Sequence, residues 1–293
     1  MIKIGMIGLS EGNGHPYSFS AVFNGYDEDG MLESGWTNIH TYLKARDISD
    51  FGICEAKITH IWTQNISDSK KIAKASNIAN IVKNYIDMIE HIDAVIIARD
   101  DWQSHKEISS PFLKAGKYVF IDKPLSLDKD ELDYFKPYLE QAQLMTCSGI
   151  RYSPELDTIK RDLSNFGKIK LIKGTIVKSW EKYSIHMLEG IFSVIPFEPI
   201  KITKNACMHE SFTIETKEGF LVEINCLGDQ APLALRIEFY SETDYYKADC
   251  LDAFSAFKRT MQNFALMIKS SQQPIAPAHT LNLLNVISEG SRL

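Results

Sequence analysis

The stretch from Asp93 to Leu127 constrains this chain more than any other. It holds two short apolar runs, Ala94 to Ala98 and Tyr118 to Ile121, and each ends abruptly in polar residues. Runs of that length suit buried strands. Between them, His105 to Ala115 sets Ile108, Phe112 and Leu113 on one helical side, and Gly116 follows as a stop. Pro111 interrupts the interior of that helix. Strand, helix and strand over so few residues predict a right-handed parallel crossover. Ligands of such sheets lie beyond the carboxyl ends of the strands. Here those ends carry Arg99, Asp100, Asp101 and Trp102 on one strand, and Asp122 and Lys123 on the next.

A chain of 293 residues is long enough for two domains with a sizeable core. Its net charge of -6 argues against a nucleic-acid partner, which would want a basic face, although a single basic pocket for a phosphorylated small molecule is compatible with it. No apolar run reaches the roughly 18 residues of a membrane span. The opening apolar run passes straight into Ser10-Glu11-Gly12-Asn13-Gly14, unlike a signal peptide. The five cysteines (Cys54, Cys147, Cys207, Cys226 and Cys250) form no close pair and no C-x-x-C. Neither a metal site nor a disulfide framework is expected, and reduced thiols in a cytoplasm fit best.

Ile2 to Leu9 reads as the first buried strand. It runs into Gly8, Ser10, Gly12, Asn13, Gly14 and His15, with a helix expected from Ser18 to Phe23. Strand, glycine turn and helix form the layout of a dinucleotide pyrophosphate site, because glycine lets backbone N–H groups approach phosphate. The spacing departs from G-x-G-x-x-G, and a plain tight loop is the competing reading. Residues 25 to 54 look like an insertion, with a solvated acidic turn at Asp27-Glu28-Asp29 and a helix from Trp36 to Arg46. Ala56 to Thr63 is the second strand, followed by a helix from Ser67 to Ala75 capped by Ser67 or Asp68. A NAD site normally ends this strand in a carboxylate. Here the end is Thr63-Gln64-Asn65. Lys70 and Lys71 beyond it are either solvent-facing or contacts for a 2′-phosphate.

A strand is expected from Leu144 to Ile150, and Arg151-Tyr152-Ser153-Pro154 follows. The character then changes. Ile169 to Trp180, Ala206 to Thr216, Phe220 to Leu227 and Leu233 to Tyr240 read as strands, and Lys217-Glu218-Gly219 is a hairpin signal. Helices are expected over Glu155 to Leu163, Ser184 to Val194, Ala253 to Ser270 and Thr280 to Glu289. The fold class is therefore α/β: a Rossmann-type parallel sheet over 1–125, then an α+β domain over 126–293 with a largely antiparallel, open-faced sheet. The strand near 144–150 and the last helix are expected to pack back on the first domain.

Lys123, followed by Pro124 at a strand end, is held in extended backbone beside Asp122, where it can serve as acid or hydrogen-bond donor. The bland alternative is a surface lysine in a turn. Trp180, Lys182, Tyr183 and His186 form a polar-aromatic cluster at a strand-to-helix junction, though a lone histidine there is equally a packed core residue.

These positions resemble the glucose-fructose oxidoreductase/inositol dehydrogenase (Gfo/Idh/MocA) family. Ile97-Ala98-Arg99-Asp100-Asp101-Trp102-Gln103-Ser104-His105 is similar to its I-A-T-P-x-x-x-H. Ala115-Gly116-Lys117 with Asp122-Lys123-Pro124-Leu125 is similar to A-G-K-x-V-x-x-E-K-P-L, with Asp for Glu. Arg151-Tyr152-Ser153-Pro154 is similar to R-[FY]-x-P, and His186 with Glu189 to D-x-G-x-H-x-x-D.

The resemblance implies hydride transfer between nicotinamide, of NAD or NADP, and a sugar-like carbinol. Lys123 and His186 would be the catalytic residues. Gly8, Ser10, Gly12, Asn13, Gly14, His15, Thr63, Gln64, Arg99, Asp100, Trp102, His105 and Asp122 would line the cofactor. Arg151, Tyr152, Trp180, Lys182 and Tyr183 would line the substrate. The partners implied are a small-molecule sugar derivative and a second copy, as a homodimer or homotetramer through the C-terminal sheet. Lys182 stands where the family has Asp, which points to an acidic or phosphorylated sugar. The runners-up are a non-catalytic dinucleotide-binding relative and a reductase of a non-sugar substrate.

Overall fold

The computed structural model describes every residue except Cys54, so the expectation of a reduced thiol there lies outside the described residues. The chain divides into two units, Met1–Thr146 with Phe257–Pro277, and Cys147–Ala256 with Ala278–Leu293. This division differs from the sequence boundary at 125. A helix at Lys129–Glu140 and a short strand at Leu144–Met145 belong to the first unit, as does most of the helix at Ala253–Ser270. The last helix, Pro277–Gly290, lies almost wholly in the second.

The first unit is built on six parallel strands: β1 (Ile2–Ile7), β2 (Ala56–Trp62), β3 (Asn80–Ile81), β4 (Ala94–Ile97), β5 (Tyr118–Ile121) and β6 (Leu144–Met145). Their order is β3-β2-β1-β4-β5-β6, so the direction of winding reverses between β1 and β4. β4 is fully buried along its length, as a strand covered on both faces must be. Helix α1 (His15–Asn24) packs on β1 and β2. The insertion folds as α2 (Glu28–Glu33) and α3 (Thr37–Lys44). The acidic run expected to be a turn is thus a helix start: Asp27 accepts from the Gly30 amide, and Glu28 and Asp29 favour the first turn. Helix α4 (Ile66–Ala75) is capped by Asn65, not by Ser67 or Asp68, because the Asn65 side chain accepts from the Ser67 amide. Helix α5 (His105–Lys114) keeps Pro111 inside and joins β4 to β5. Helix α6 (Lys129–Glu140), capped by Asp128, leads to β6.

The second unit carries α7 (Asp157–Asp162) and a mixed six-stranded sheet of β7 (Ile169–Ile176), β8 (Pro199–Lys204), β9 (Glu210–Thr216), β10 (Leu221–Cys226), β11 (Leu235–Ser241) and β12 (Tyr245–Asp249). The order is β12-β11-β7-β10-β9-β8, antiparallel except for the central β7–β10 pair. Helix α8 (Trp180–Val194) packs on β7, β10 and β11, with Met187, Leu188 and Ile191 fully buried. Helix α9 (Ala253–Ser270) begins in this unit, and α10 (Pro277–Gly290) completes the chain.

Candidate functional site

In the first unit, polar residues of the glycine turn are bound to the ends of β2, β4 and β5. The Leu9 amide donates to Gln64 Oε1 (2.9 Å), and Gln64 Nε2 donates back to the Leu9 carbonyl (2.8 Å). Ser10 Oγ donates to Asp100 (2.5 Å), whose amide donates back to Ser10 Oγ (3.1 Å). Arg99 reaches the Leu9 carbonyl (3.2 Å) and forms a two-pronged ion pair with Asp101 at 2.9 and 2.5 Å. At the end of β5, Asp122 accepts from Asn13 Nδ2 (3.0 Å), lies 2.5 Å from His15 Nδ1, and accepts from the Lys123 amide (2.9 Å).

Burial alone would raise the Asp122 carboxyl, which is 1% exposed. His15, Lys123 and the Asn13 amide outweigh that and hold it well below the usual carboxylate range. Asp122 is thus a buried anion flanked by the His15 ring and by Lys123. Lys123 is also buried, 4% exposed.

Two further contacts set the roof of this edge. His15 packs its ring on Phe19 (4.8 Å) and on Phe257 (5.1 Å). Trp36, from the insertion, covers Gly14 so closely that a Cβ there would sit 2.9 Å from the indole. Phe257 carries no sequence signal, being remote from the turn and set in an ordinary amphipathic helix.

In the second unit, α8 and the turn after β6 are knitted by two contacts one helical turn apart. His186 Nδ1 lies 2.6 Å from Ser148 Oγ. Arg151 Nε donates to Glu189, and both side chains are buried. Burial pushes the Glu189 carboxyl up against the pull of Arg151. The Tyr183 ring lies 4.9 Å from His186, and the Lys178 ammonium stands 4.4 Å over Tyr183. Lys182 is exposed. Burial drives the phenol of Tyr152 far above its ordinary pKa, so it stays neutral.

Four of the expected contact residues are internal struts. His105 is 0% exposed, with Nδ1 3.0 Å from the Leu125 carbonyl and Nε2 2.9 Å from the Arg99 carbonyl. A neutral ring donates to only one of these. Burial lowers its pKa. It therefore ties the ends of β4 and β5 together and does not face the cofactor edge. Thr63 is 4% exposed and spends its hydroxyl on the Asn65 carbonyl (2.6 Å) and Ser69 (2.8 Å). Trp180 is 1% exposed, stacks on Phe212 at 4.0 Å, and donates its indole N–H to the Ile287 carbonyl (2.9 Å). It is core, not a substrate wall. Arg151 is the buried partner of Glu189 rather than a surface for substrate. For His105, Trp180 and Arg151 a partner lies far along the chain, whereas Thr63 is satisfied by residues just beyond it.

The family model described as "Oxidoreductase family, NAD-binding Rossmann fold" (GFO_IDH_MocA) matches residues 2–149. The chain belongs to this family. No curated protein matches the sequence. Among solved structures, the chain is similar to a myo-inositol 2-dehydrogenase from Lactobacillus plantarum, with TM-score 0.76 and 15% identity over 99% of this chain and 96% of that one.

 It is also similar to a scyllo-inositol dehydrogenase from Lactobacillus casei with bound cofactor NAD(H) and scyllo-inositol (TM-score 0.74, 15% identity, 98% of this chain and 95% of that one). A UDP-N-acetylglucosamine 3-dehydrogenase from Acidithiobacillus ferrooxidans gives TM-score 0.74 at 13% identity, over 98% of this chain and 96% of that one. At such identities the likeness is one of fold.

The residues of the first unit fit a dinucleotide. The strand order reverses at β1 and β4, where such cofactors lie in this fold class. Gly8 approaches Pro16 so closely that a Cβ would sit 2.5 Å from its ring, and Gly12, at φ 75°, has open space around it. The α1 N-terminus adds positive potential. Two of its amides are already used within the turn, Asn13 to the Ser10 carbonyl (3.2 Å) and His15 to Asn13 Oδ1 (2.8 Å). Among the described residues there is no cluster of side chains suited to a metal ion, and no helix is long and apolar enough to cross a membrane.

Proposed function

We propose that this oxidoreductase transfers a hydride between the nicotinamide of NAD or NADP and the carbinol or carbonyl carbon of a sugar or sugar derivative. The observation that carries the reading is Lys123: a buried lysine at the carboxyl end of β5, beside a buried carboxylate that is itself bound to the glycine turn. A lysine so placed has its backbone anchored by its neighbour and its charge balanced by it.

The bound nicotinamide would supply the hydride acceptor or donor. Gly8, Ser10, Gly12, Gly14 and His15 would hold the pyrophosphate, with Asp122 fixing His15 and Asn13. Gln64, Arg99, Asp100 and Trp102 would border the adenosine and ribose. Lys123 donates a hydrogen bond to the reacting oxygen, and His186 exchanges its proton. Ser148, on His186 Nδ1, helps fix the orientation of the ring. Tyr183 packs the ring from the side.

The partner that fits the outer sheet face is a second copy, in a homodimer or homotetramer. One row across that face reads Glu223, Lys173, Glu238 and Lys247, alternating in sign. An alternating row is self-complementary under a twofold axis. A reducing cytoplasm suits the buried Cys226 and Cys250, whose thiols burial pushes up to about 12.

The test is a panel of polyols, aldoses and their oxidised forms, with either nicotinamide, followed at the nicotinamide absorbance band. A substrate-dependent change that Lys123→Ala abolishes is expected. Absence of any change across sugars of every class would remove the reading.

A further inference from the structure

We propose that the cavity at the N-terminal end of α8 is an anion-selecting substrate subsite, in which Lys178 and Lys182 take the acid group of a sugar acid or sugar phosphate. The proposal rests on the reading above that the substrate is a sugar. The cavity measures about 400 Å³ and is lined by Lys178, Ser179, Lys182, His209, Glu210 and Asp229, among others. It opens where β7 and β10, the one parallel pair of the sheet, both end.

Lys178 is held there at a cost. Its φ is 62°, in the left-handed region that side chains other than Gly, Asn and Asp seldom adopt. Two backbone hydrogen bonds to Gly228, at 3.0 and 3.1 Å, lock that conformation. The result is an ammonium 4.4 Å above the Tyr183 ring, which in turn lies 4.9 Å from His186. Lys182 comes to the same neighbourhood by another route, one helical turn before His186 on α8. Two lysines thus converge beside the residue proposed to exchange the substrate's proton.

The charges around them are unevenly committed. Glu210 accepts the Trp180 amide at 2.6 Å and so acts as the cap of α8. Ser179, at the cap position, makes no side-chain capping bond. Asp229 shares the rim. On the outer sheet face Lys173, Lys201 and Lys247 pair with Glu223, Glu215 and Asp249, whereas neither Lys178 nor Lys182 forms an ion pair among the described residues. Carboxylates suit sugar hydroxyls, and ammonium groups with no ion-pair partner suit an acid group. A volume of that size and this mixture of donors and acceptors match one hydroxylated ring bearing one anion.

The experiment compares glucose, gluconate and glucose 6-phosphate on the full chain, by nicotinamide absorbance for turnover and by tryptophan fluorescence for binding, since Trp180 sits at the first turn of α8. Preference for one or both acids over glucose by tenfold or more, in kcat/KM or in Kd, is expected. Lys178→Met with Lys182→Met should remove that preference through KM, Lys182→Arg should keep most of it, and Lys247→Met on the outer face should leave it intact. The preference should weaken as salt is raised. The gluconate and phosphate arms separate a carboxylate from a phosphate ester. Equal treatment of neutral and acidic sugars, or a preference that survives the double substitution, overturns the subsite. Turnover without acid preference sinks this proposal alone. Binding preference without turnover on any sugar keeps the subsite and removes the catalytic reading.

Discussion

The turn edge of the first unit and the α8 edge of the second handle charge in opposite ways. At the turn, the carboxylates have partners: Asp122 has His15 and Lys123, Arg99 pairs with Asp101, and Asp100 accepts from the Ser10 hydroxyl. At α8, Arg151 and Glu189 are matched in the interior, while Lys178 and Lys182 at the rim have no ion-pair partner among the described residues. A cradle for a ligand that never changes gains from being fixed in advance, because ordering costs are met on folding rather than on binding. A rim that must choose among sugars keeps its charges available. Under the proposed function, the matched edge is the one that binds cofactor and the unmatched one is the one that selects substrate.

The comparison breaks most visibly at its buried pairs. Asp122→Ala leaves His15 and Lys123 without their common anion, and Glu189→Ala strands Arg151. Removing one partner of a buried pair costs about 3–5 kcal/mol. Both should appear as lower denaturation midpoints, but only Asp122→Ala should also abolish binding in NAD(P)H fluorescence titration. Equal cofactor affinity in the two variants would erase the distinction between the edges.

Gln64→Ala removes two hydrogen bonds between the end of β2 and Leu9. At about 0.5–1.5 kcal/mol each, the loss predicts roughly a tenfold weaker cofactor affinity with little change in KM for substrate. Equal effects on both constants would mean that the strap is not local to the cofactor edge.

Acid sharpens the same contrast. The folded-state pKa of Asp122 is depressed, so its contribution is complete above the ordinary value of about 3.9 and is lost as pH falls through the folded value. Stability should therefore drop in strong acid, and Asp122→Asn should flatten that drop. An unchanged acid limb in Asp122→Asn would place the acid sensitivity elsewhere. The smallest effect is expected on the outer face. Lys173→Ala breaks a partly exposed ion pair with Glu223 and should shift monomer stability by less than about 1 kcal/mol. Its larger consequence, if two copies stack there, is a shift toward monomer in sedimentation.

Much of this was legible in the sequence, and what was not has identifiable causes. The uniformly apolar runs at 94–98 and 118–121 declared their strands because a strand buried on both faces needs no alternation. The Asp122-Lys123 end and the Ser10 to His15 turn were visible as polar residues at strand ends. The strand expected over Leu144 to Ile150 pairs only at Leu144–Met145, because Ser148 turns out to cap the next turn through its own hydroxyl. Helix α8 begins four residues before Ser184, since its cap, Glu210, lies on β9 and leaves no local signal. β8 and β12 were missed: the first opens on a proline and is mostly exposed, and the second is a short edge strand. Trp180 stands in a polar-aromatic cluster and Thr63 at a strand end, while Arg151 and His105 match family motifs, so all four look like ligand contacts in the sequence. Only the fold reveals that their partners are Ile287, Ser69, Glu189 and the two carbonyls around α5. Lys178 passed unnoticed because nothing in sequence marks a lysine in left-handed backbone.

The central claim is that Lys123 acts on the reacting oxygen rather than holding the cofactor. Lys123→Ala, measured for both NAD(P)H binding by fluorescence and turnover of the best sugar by absorbance, tests it directly. The account predicts near-unchanged nicotinamide affinity with turnover reduced by about 10²-fold or more. Turnover within a few-fold of the unsubstituted chain would contradict it.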